Sequence, residues 1–283
     1  MPGDIAVRTI AVVNRKGGSG KTTTAVSLAA VLAERGLPTL LIDLDPQGSA
    51  SAWLTNARDD RHTHPFLEGR DDDAVAVRTK FAGLEIVPAS ALLLEAERTL
   101  RADSSLAVLR AIQRLPPEWA YVIVDCPPSL SYLSIGALMA VREVIIPVEA
   151  HAIALPGVAA VVGEMARIQR TLNPGLRNPM IVACRMNRTL HAKLVVDELD
   201  RTYGWRLART TIRESIRLAE AEAARLPINA YAPESAACLD YRMLADELLA
   251  REELPEPVRR RAPLWRRLFT RSAHVAAAKG RAV

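Results

Sequence analysis

The sequence predicts an α/β fold, a doubly wound, mostly parallel sheet flanked by helices. Three observations predict it. Short β-branched apolar runs alternate with longer stretches of helical periodicity, the pattern of successive βα units. The apolar runs are nearly continuous rather than alternating, as strands covered on both faces require. A glycine-rich turn, Gly17-Gly18-Ser19-Gly20, separates the first apolar run from the first helical one.

Taken in order, residues 5–13 form the first expected strand and 22–35 the helix that follows the turn. Further strands are expected at 39–42, 84–87, 121–124, 143–147 and 180–183. Helices are expected between and after them, at 92–100, 104–115, 132–140, 155–172, 192–203 and 236–251. The segment 58–73 carries two His and five Asp and reads as an exposed polar loop, in which His62 and His64 are solvated residues. No internal repeat is present. After Leu254-Pro255-Glu256-Pro257 the composition turns proline-broken and arginine-rich, so one domain is expected over 1–254 and a tail over 255–283.

Composition narrows the classes. Hydrophobic residues make up 49% and charged ones 24%, enough for a sizeable core. Aromatics supply only 4%, so that core must be mostly Ala, Val, Leu and Ile. No apolar run reaches the roughly 18 to 20 residues of a membrane span. Pro2-Gly3-Asp4 leads into the first strand without the basic and apolar regions of a leader. Cys126, Cys184 and Cys238 lie in apolar stretches and read as reduced, buried residues of a cytoplasmic protein. The net charge of +5 is unevenly placed: seven Arg and one Lys after Val258 give the tail +8, leaving 5 − 8 = −3 for residues 1–258.

The turn at 17–20 has the context that phosphate binding demands, a strand before it and a helix after it. Its backbone N–H groups can wrap a phosphate chain, and the helix N-terminus adds partial positive charge. Lys21 then reaches the β- and γ-phosphates, the Thr22 hydroxyl ligates Mg²⁺, and Thr23 adds a contact to the α-phosphate. The standard motif would place glycine at position 15, where this chain has Arg15; it carries instead a second lysine, Lys16, just before the glycines. Two further strands run into acids, as Asp43-Leu44-Asp45-Pro46-Gln47-Gly48 and as Asp125-Cys126-Pro127-Pro128-Ser129. Residues just beyond the carboxyl ends of such strands line the ligand crevice. Asp43, Asp45 and Asp125 are therefore expected to converge near the phosphates, with Thr22, Asp43 and Asp125 as the metal residues.

These motifs closely resemble those of the ParA family of partition ATPases, P-loop proteins of the deviant Walker type. The likeness covers roughly residues 5–252. It extends through Ile145-Ile146-Pro147-Val148-Glu149, Ala154-Leu155-Pro156-Gly157 and Arg217-Leu218-Ala219-Glu220-Ala221. The resemblance implies slow ATP hydrolysis with Mg²⁺ in a homodimer that forms on ATP. In it Lys16 would cross to the partner's phosphates, and Asp45 would orient the attacking water. Asp125 would hold Mg²⁺ through a water, and Asn187 would contact adenine. It also implies non-specific DNA binding, here through Arg188, Arg213 and Arg217, and a nucleoid-associated location in the cytoplasm. A ParB-like or other cargo-adaptor protein would stimulate hydrolysis, the cargo being a plasmid, a chromosome or a large protein assembly such as a carboxysome. The sequence departs from many relatives at Ile212-Arg213-Glu214, where an acid stands in place of a common base.

Three readings of the tail stay open. It is disordered; it attaches to DNA by charge; or its Leu264, Trp265, Leu268 and Phe269, set at helical spacing among arginines, bind a membrane surface as in the related MinD family. Nitrogenase-reductase-like redox chemistry is disfavoured, since Cys126 and Cys184 are not placed to hold a cluster between subunits. A binding module with dead chemistry is disfavoured by intact Lys16, Lys21, Thr22, Asp45 and Asp125. With the phosphate-loop strand starting at residue 5, no N-terminal operator-binding helix-turn-helix is expected.

Overall fold

The computed structural model describes residues 7–55, 66–67, 76–90, 93–94, 102–150 and 155–253. The chain divides into two units, Met1–Leu248, which holds the sheet, and Leu249–Val283. The tail, most of the 58–73 segment and most of the helix expected at 92–100 lie outside the described residues.

Seven strands form one sheet: β1 (Arg8–Val12), β2 (Thr39–Asp43), β3 (Val77–Arg78), β4 (Leu84–Val87), β5 (Tyr121–Asp125), β6 (Glu143–Glu149) and β7 (Met180–Cys184). Their order is β3-β4-β2-β5-β1-β6-β7, and every pairing is parallel except β3 with β4. The chain therefore reverses its winding direction at β1, the strand that leads into the glycine turn. Strands β2, β5 and β7 are buried at all five positions, as their unbroken apolar runs anticipated. Two-residue β3, the antiparallel edge strand, was not among the expected strands and is too short to show a pattern.

Helix α1 (Lys21–Glu34) runs from the turn with eleven of its fourteen residues buried. It is followed in the chain by α2 (Ser49–Leu54), α3 (Ala102–Gln113), α4 (Tyr132–Ala140), α5 (Leu155–Thr171) and α6 (Leu190–Tyr203). After a 3₁₀ turn at Gly204–Arg206 come α7 (Ile216–Ala223), α8 (Ile228–Tyr231) and α9 (Ala236–Glu253). The short helices α2, α7 and α8 were not anticipated, because eight residues or fewer carry too little periodicity. In the segment read as an exposed loop, Phe66 and Leu67 are helical and buried in the core. Burial of two apolar side chains is favourable, and the average composition of the whole segment concealed them.

Helix α4 lies hard against α3. A Cβ at Gly136 would come within 2.7 Å of the Ser105 carbonyl oxygen and 2.8 Å of Val108 Cβ, so glycine is what admits this approach.

The open edge at β7 is closed by the irregular segment 207–214. Ala208 N–H donates to Ile181 O at 2.7 Å, Ile212 N–H to Ala183 O at 2.8 Å and Met186 N–H to Ile212 O at 3.0 Å. Where this ladder breaks, two carboxylates of α9 take the spare donors. Glu247 accepts from the N–H groups of Arg209 and Thr210, both at 2.9 Å, and Asp240 accepts from that of Arg213 at 2.9 Å. Unpaired edge N–H groups are thereby satisfied.

Candidate nucleotide site

The glycine turn adopts the conformation its residues permit. Gly18 and Gly20 have φ of 75° and 88°, a left-handed backbone that L side chains rarely take. Gly20 caps α1 with no side-chain hydrogen bond and no acid in the first turn, so the helix N-terminus keeps its donors and positive potential for an anion. Ser19 is buried, and its Oγ has no hydrogen-bond partner.

Lys21 is 7% exposed and donates from Nζ to Lys16 O at 3.3 Å. Burial lowers its pKa, while the charges of Asp125, Asp45 and Cys126 act in the opposite direction. Thr22 and Thr23 follow in the first turn of α1, both half-buried.

The three expected acids come together. Asp43 and Asp125 sit opposite one another in the β2–β5 register, at the carboxyl ends of neighbouring central strands. Asp43 is fully buried, and both of its oxygens are engaged. Oδ1 accepts from Asp45 N–H at 3.1 Å, and Oδ2 from Ser51 N–H and Oγ at 2.8 and 2.7 Å. Burial still pushes its pKa up to about 6 against these hydrogen bonds, with Asp45 adding to the rise. Asp45 itself is 8% exposed and accepts from Gln47 N–H at 3.0 Å.

Asp125 differs. It is completely buried, yet neither carboxylate oxygen has a hydrogen-bond partner. Burial raises its pKa well above the ordinary value and the Asp43 charge raises it further, while the Thr22 hydroxyl, near enough to favour the charged form though short of hydrogen-bond geometry, and the Lys21 charge pull it down. A buried carboxylate with open lone pairs beside a helix-terminal hydroxyl is the donor set of a hard, oxygen-liganded cation. Among the described residues no group of three or more His, Cys, Asp or Glu could hold a metal ion by itself. That is compatible with Mg²⁺, which is commonly held by one or two protein ligands, substrate phosphates and waters.

Lys16 lies on the rim. Its Nζ donates to Glu149 Oε2 at 2.6 Å, and its backbone N–H donates to Asn14 Oδ1 at 3.2 Å. Asn14 Nδ2 in turn donates to Pro147 O at 2.6 Å, tying the phosphate loop to β6. Glu149 Oε1 accepts from Arg185 Nη1 at 3.0 Å. Cys126 and Cys184 are buried free thiols; burial raises both, Cys184 to about 12, which keeps them protonated and inert.

The remaining residues singled out in the sequence lie beyond β7. Asn187 Oδ1 accepts from Thr189 N–H and Oγ1 at 3.2 and 2.6 Å, shaping the turn into α6. Arg188 is exposed, with no ion pair among the described residues. Arg213 is held by Asp240 through Nε at 2.9 Å and Nη2 at 2.6 Å, and Arg217 by Glu220 at 2.8 Å. The structure thus gathers Lys16 to Thr23 with Asp43, Asp45 and Asp125, and sets the three arginines in segments that follow β7, two of them paired with acids. Sequence reasoning gave no role to Asn14, Glu149, Arg185 or Ser51. Glu149 carried a usable signal, an acid ending a buried strand; the others carried none.

Comparison with known proteins bears on this arrangement. The sequence model of a family described as an AAA domain matches residues 7–178. The chain is 38% identical to the chromosome-partitioning ATPase Soj of Thermus thermophilus over 246 residues, 87% of this chain and 96% of that protein. It is 34% identical to the chromosome partitioning protein ParA of Caulobacter vibrioides over 256 residues, 87% and 95% of the two chains. A crystal structure of cobyrinic acid a,c-diamide synthase from Mycobacterium smegmatis with bound ADP and magnesium superposes with a TM-score of 0.75 at 30% identity, covering 87% of this chain and 96% of that one.

Proposed function

The chain belongs to the family of Soj and ParA partitioning ATPases, and on that premise we propose that it is an ATP- and Mg²⁺-dependent switch whose working unit is a homodimer. The single observation that carries the chemistry is Asp125, buried with both oxygens unpartnered, set beside Asp43 behind a glycine turn that opens a helix. Lys21 and the N–H groups of Gly17, Gly18, Ser19 and Gly20 would hold the phosphates, Thr23 the α-phosphate and Asn187 the base. Thr22 and Asp125 would hold Mg²⁺, which supplies charge neutralisation at the phosphoryl oxygens. Asp43, expected from the sequence as a metal residue, has both oxygens engaged by Asp45 and Ser51, and would serve that site instead by fixing the loop that carries Asp45.

Phosphoryl transfer asks the protein for positioning and charge. Asp45 would orient the attacking water, and Lys16, delivered to a second copy, would complete the charge. Hydrolysis then needs the dimer and ends it. The family likeness supports adding a slow, adaptor-stimulated turnover in the cytoplasm, with the dimer held on nucleoid DNA. The cargo is a plasmid, a chromosome or a large protein assembly. Arg188, Arg213 and Arg217 are the DNA contacts, and of these Arg188 is the one that salt-bridge geometry leaves available. The domain would span 1–254, with 255–283 as an added tail.

The test is sedimentation with ATP and with ADP, alongside DNA-shift and liposome assays. An ATP-dependent dimer that shifts DNA is expected. Lys16→Ala should abolish the dimer, and Asp45→Ala should lose turnover while keeping it. ATP-dependent liposome binding without a DNA shift would overturn the DNA reading in favour of a membrane one. Full turnover in Asp45→Ala would remove that residue from the mechanism.

A further inference from the structure

We propose that Glu149 tethers Lys16 to its own chain and that Arg185 sets the strength of the tether, so that this pair of positioning residues controls how readily the lysine is released to a second copy. The proposal rests on the trans role given to Lys16 above.

The sheet order makes the arrangement possible. Strands β1, β6 and β7 are neighbours, and at their carboxyl ends stand Lys16 in the loop after β1, Glu149 as the last residue of β6, and Arg185 as the first residue after β7. Both oxygens of Glu149 are used, Oε2 by Lys16 at 2.6 Å and Oε1 by Arg185 at 3.0 Å. The two cations therefore share one carboxylate.

Burial assigns the moving part. The Glu149 side chain is 14% exposed, against 45% for Lys16 and 52% for Arg185. Lys16 can swing outward without losing hydration, whereas the carboxylate cannot follow it. The Asn14 bonds to Lys16 N–H and Pro147 O fix the loop backbone on β6, so release is a side-chain event.

When Lys16 departs, a mostly buried carboxylate left with less positive charge around it would pull it back, since removing one partner of such a pair weakens the compensation of the other charge. Arg185 prevents that by remaining. It holds this place from a left-handed backbone, φ 54°, which is uphill for any residue with a Cβ. Its Nη2 also lies 3.6 Å from Glu214, which anchors the guanidinium from the other side.

The two residues then have opposite effects on one equilibrium. Midpoints of dimerisation are measured by sedimentation velocity with Mg²⁺ and a non-hydrolysable ATP analogue, each variant being confirmed as folded by circular dichroism. Glu149→Gln frees two lysines per dimer and is expected to lower the midpoint concentration by about 5- to 30-fold, the equivalent of about 0.5 to 1 kcal/mol per tether. Arg185→Met is expected to raise it several-fold, and Arg185→Lys to restore a near-normal value. In the double variant the Arg185 effect should vanish, because the carboxylate it neutralises is gone. Shifts in the same direction, or an Arg185→Met effect undiminished in the Glu149→Gln background, overturn the tether. A wild-type chain that stays monomeric with the analogue overturns the dimer reading and the tether with it. A wild-type dimer with variants that fail as just stated overturns the tether alone.

Discussion

Asp125 offers the sharpest test of how this site is built, through the substitution Asp125→Asn. In the wild type a completely buried carboxylate has no hydrogen bond to either oxygen, and a second carboxylate, Asp43, sits beside it across the strand pair. Such a group costs the fold either as an unpaired charge or as a proton it must take up. The roughly three pH units between neutrality and its ordinary value of 3.8 cap that cost at about 4 kcal/mol at pH 7. Asparagine removes the charge and keeps an oxygen facing the Thr22 hydroxyl, but leaves a buried amide whose own cost is about 1 to 3 kcal/mol. The net expectation is a stabilisation without nucleotide of at most about 3 kcal/mol, read as a higher Tm than the wild type.

The pH dependence follows with a definite sign. The folded-state pKa of Asp125 is raised, so the folded chain binds more protons than the unfolded one above the ordinary carboxylate value. The wild type's stability from this group is fully present below about pH 4 and falls as pH rises. The Tm gap between Asp125→Asn and wild type should therefore close below about pH 4 and be wide at pH 7. Thermal melts followed by circular dichroism in EDTA, at several pH values, measure it. With ATP and Mg²⁺ the order should reverse, since only the wild type gains the cation. A variant that melts below the wild type in EDTA at pH 7 refutes the reasoning that Asp125 stores strain for a cation.

Other consequences are accessible to routine measurement. Gly136→Ala places a Cβ 2.7 Å from the Ser105 carbonyl oxygen and should cost about 1 to 3 kcal/mol in urea unfolding, α3 and α4 being forced apart. Asp240→Ala strands the Arg213 guanidinium and its backbone N–H at the β7 edge; a loss of about 1 to 3 kcal/mol is expected, with half-exposure of Arg213 placing the value toward the lower end. Arg188→Ala should weaken DNA binding at all sequences and reduce the salt slope by about 1, while Arg217→Ala, already paired with Glu220, should change that slope less. Equal slopes for the two variants would mean that the Glu220 pair opens on DNA.

The sheet and the phosphate loop were legible because each rests on a local rule. Continuous apolar runs at 39–42, 121–124 and 180–183 mark strands buried on both faces, and the structure buries them all, each one residue longer at its carboxyl end. The glycines at 17–20 announced a turn, and the structure makes it with Gly18 and Gly20 left-handed, a backbone that only a residue without a Cβ adopts cheaply. The helices α2, α7 and α8 escaped because eight residues or fewer cannot establish a helical period, and β3 because two residues make no run. Two buried residues in the polar stretch at 58–73, Phe66 and Leu67, escaped because average composition hides individual side chains.

Among the residues singled out, position was written in the sequence and pairing was not. Lys16, Lys21, Thr22, Asp43, Asp45 and Asp125 could be named from their spacing to glycine or to a strand end, since the backbone carries those positions to the same crevice in any doubly wound sheet. Which oxygens remain open there is a tertiary matter. Asp43 and Asp125 read alike in sequence, yet Ser51 reaches Asp43 and nothing hydrogen-bonds Asp125. Arg213 and Arg217 read as free charge until α9 and the next turn of α7 supplied Asp240 and Glu220. The bond between Lys16 and Glu149 spans 133 positions, and only the adjacency of β1 and β6 brings the two within 2.6 Å. Sequence determines which groups arrive at the carboxyl edge of the sheet; three-dimensional neighbours decide which of them are spent on the fold and which are left for a ligand.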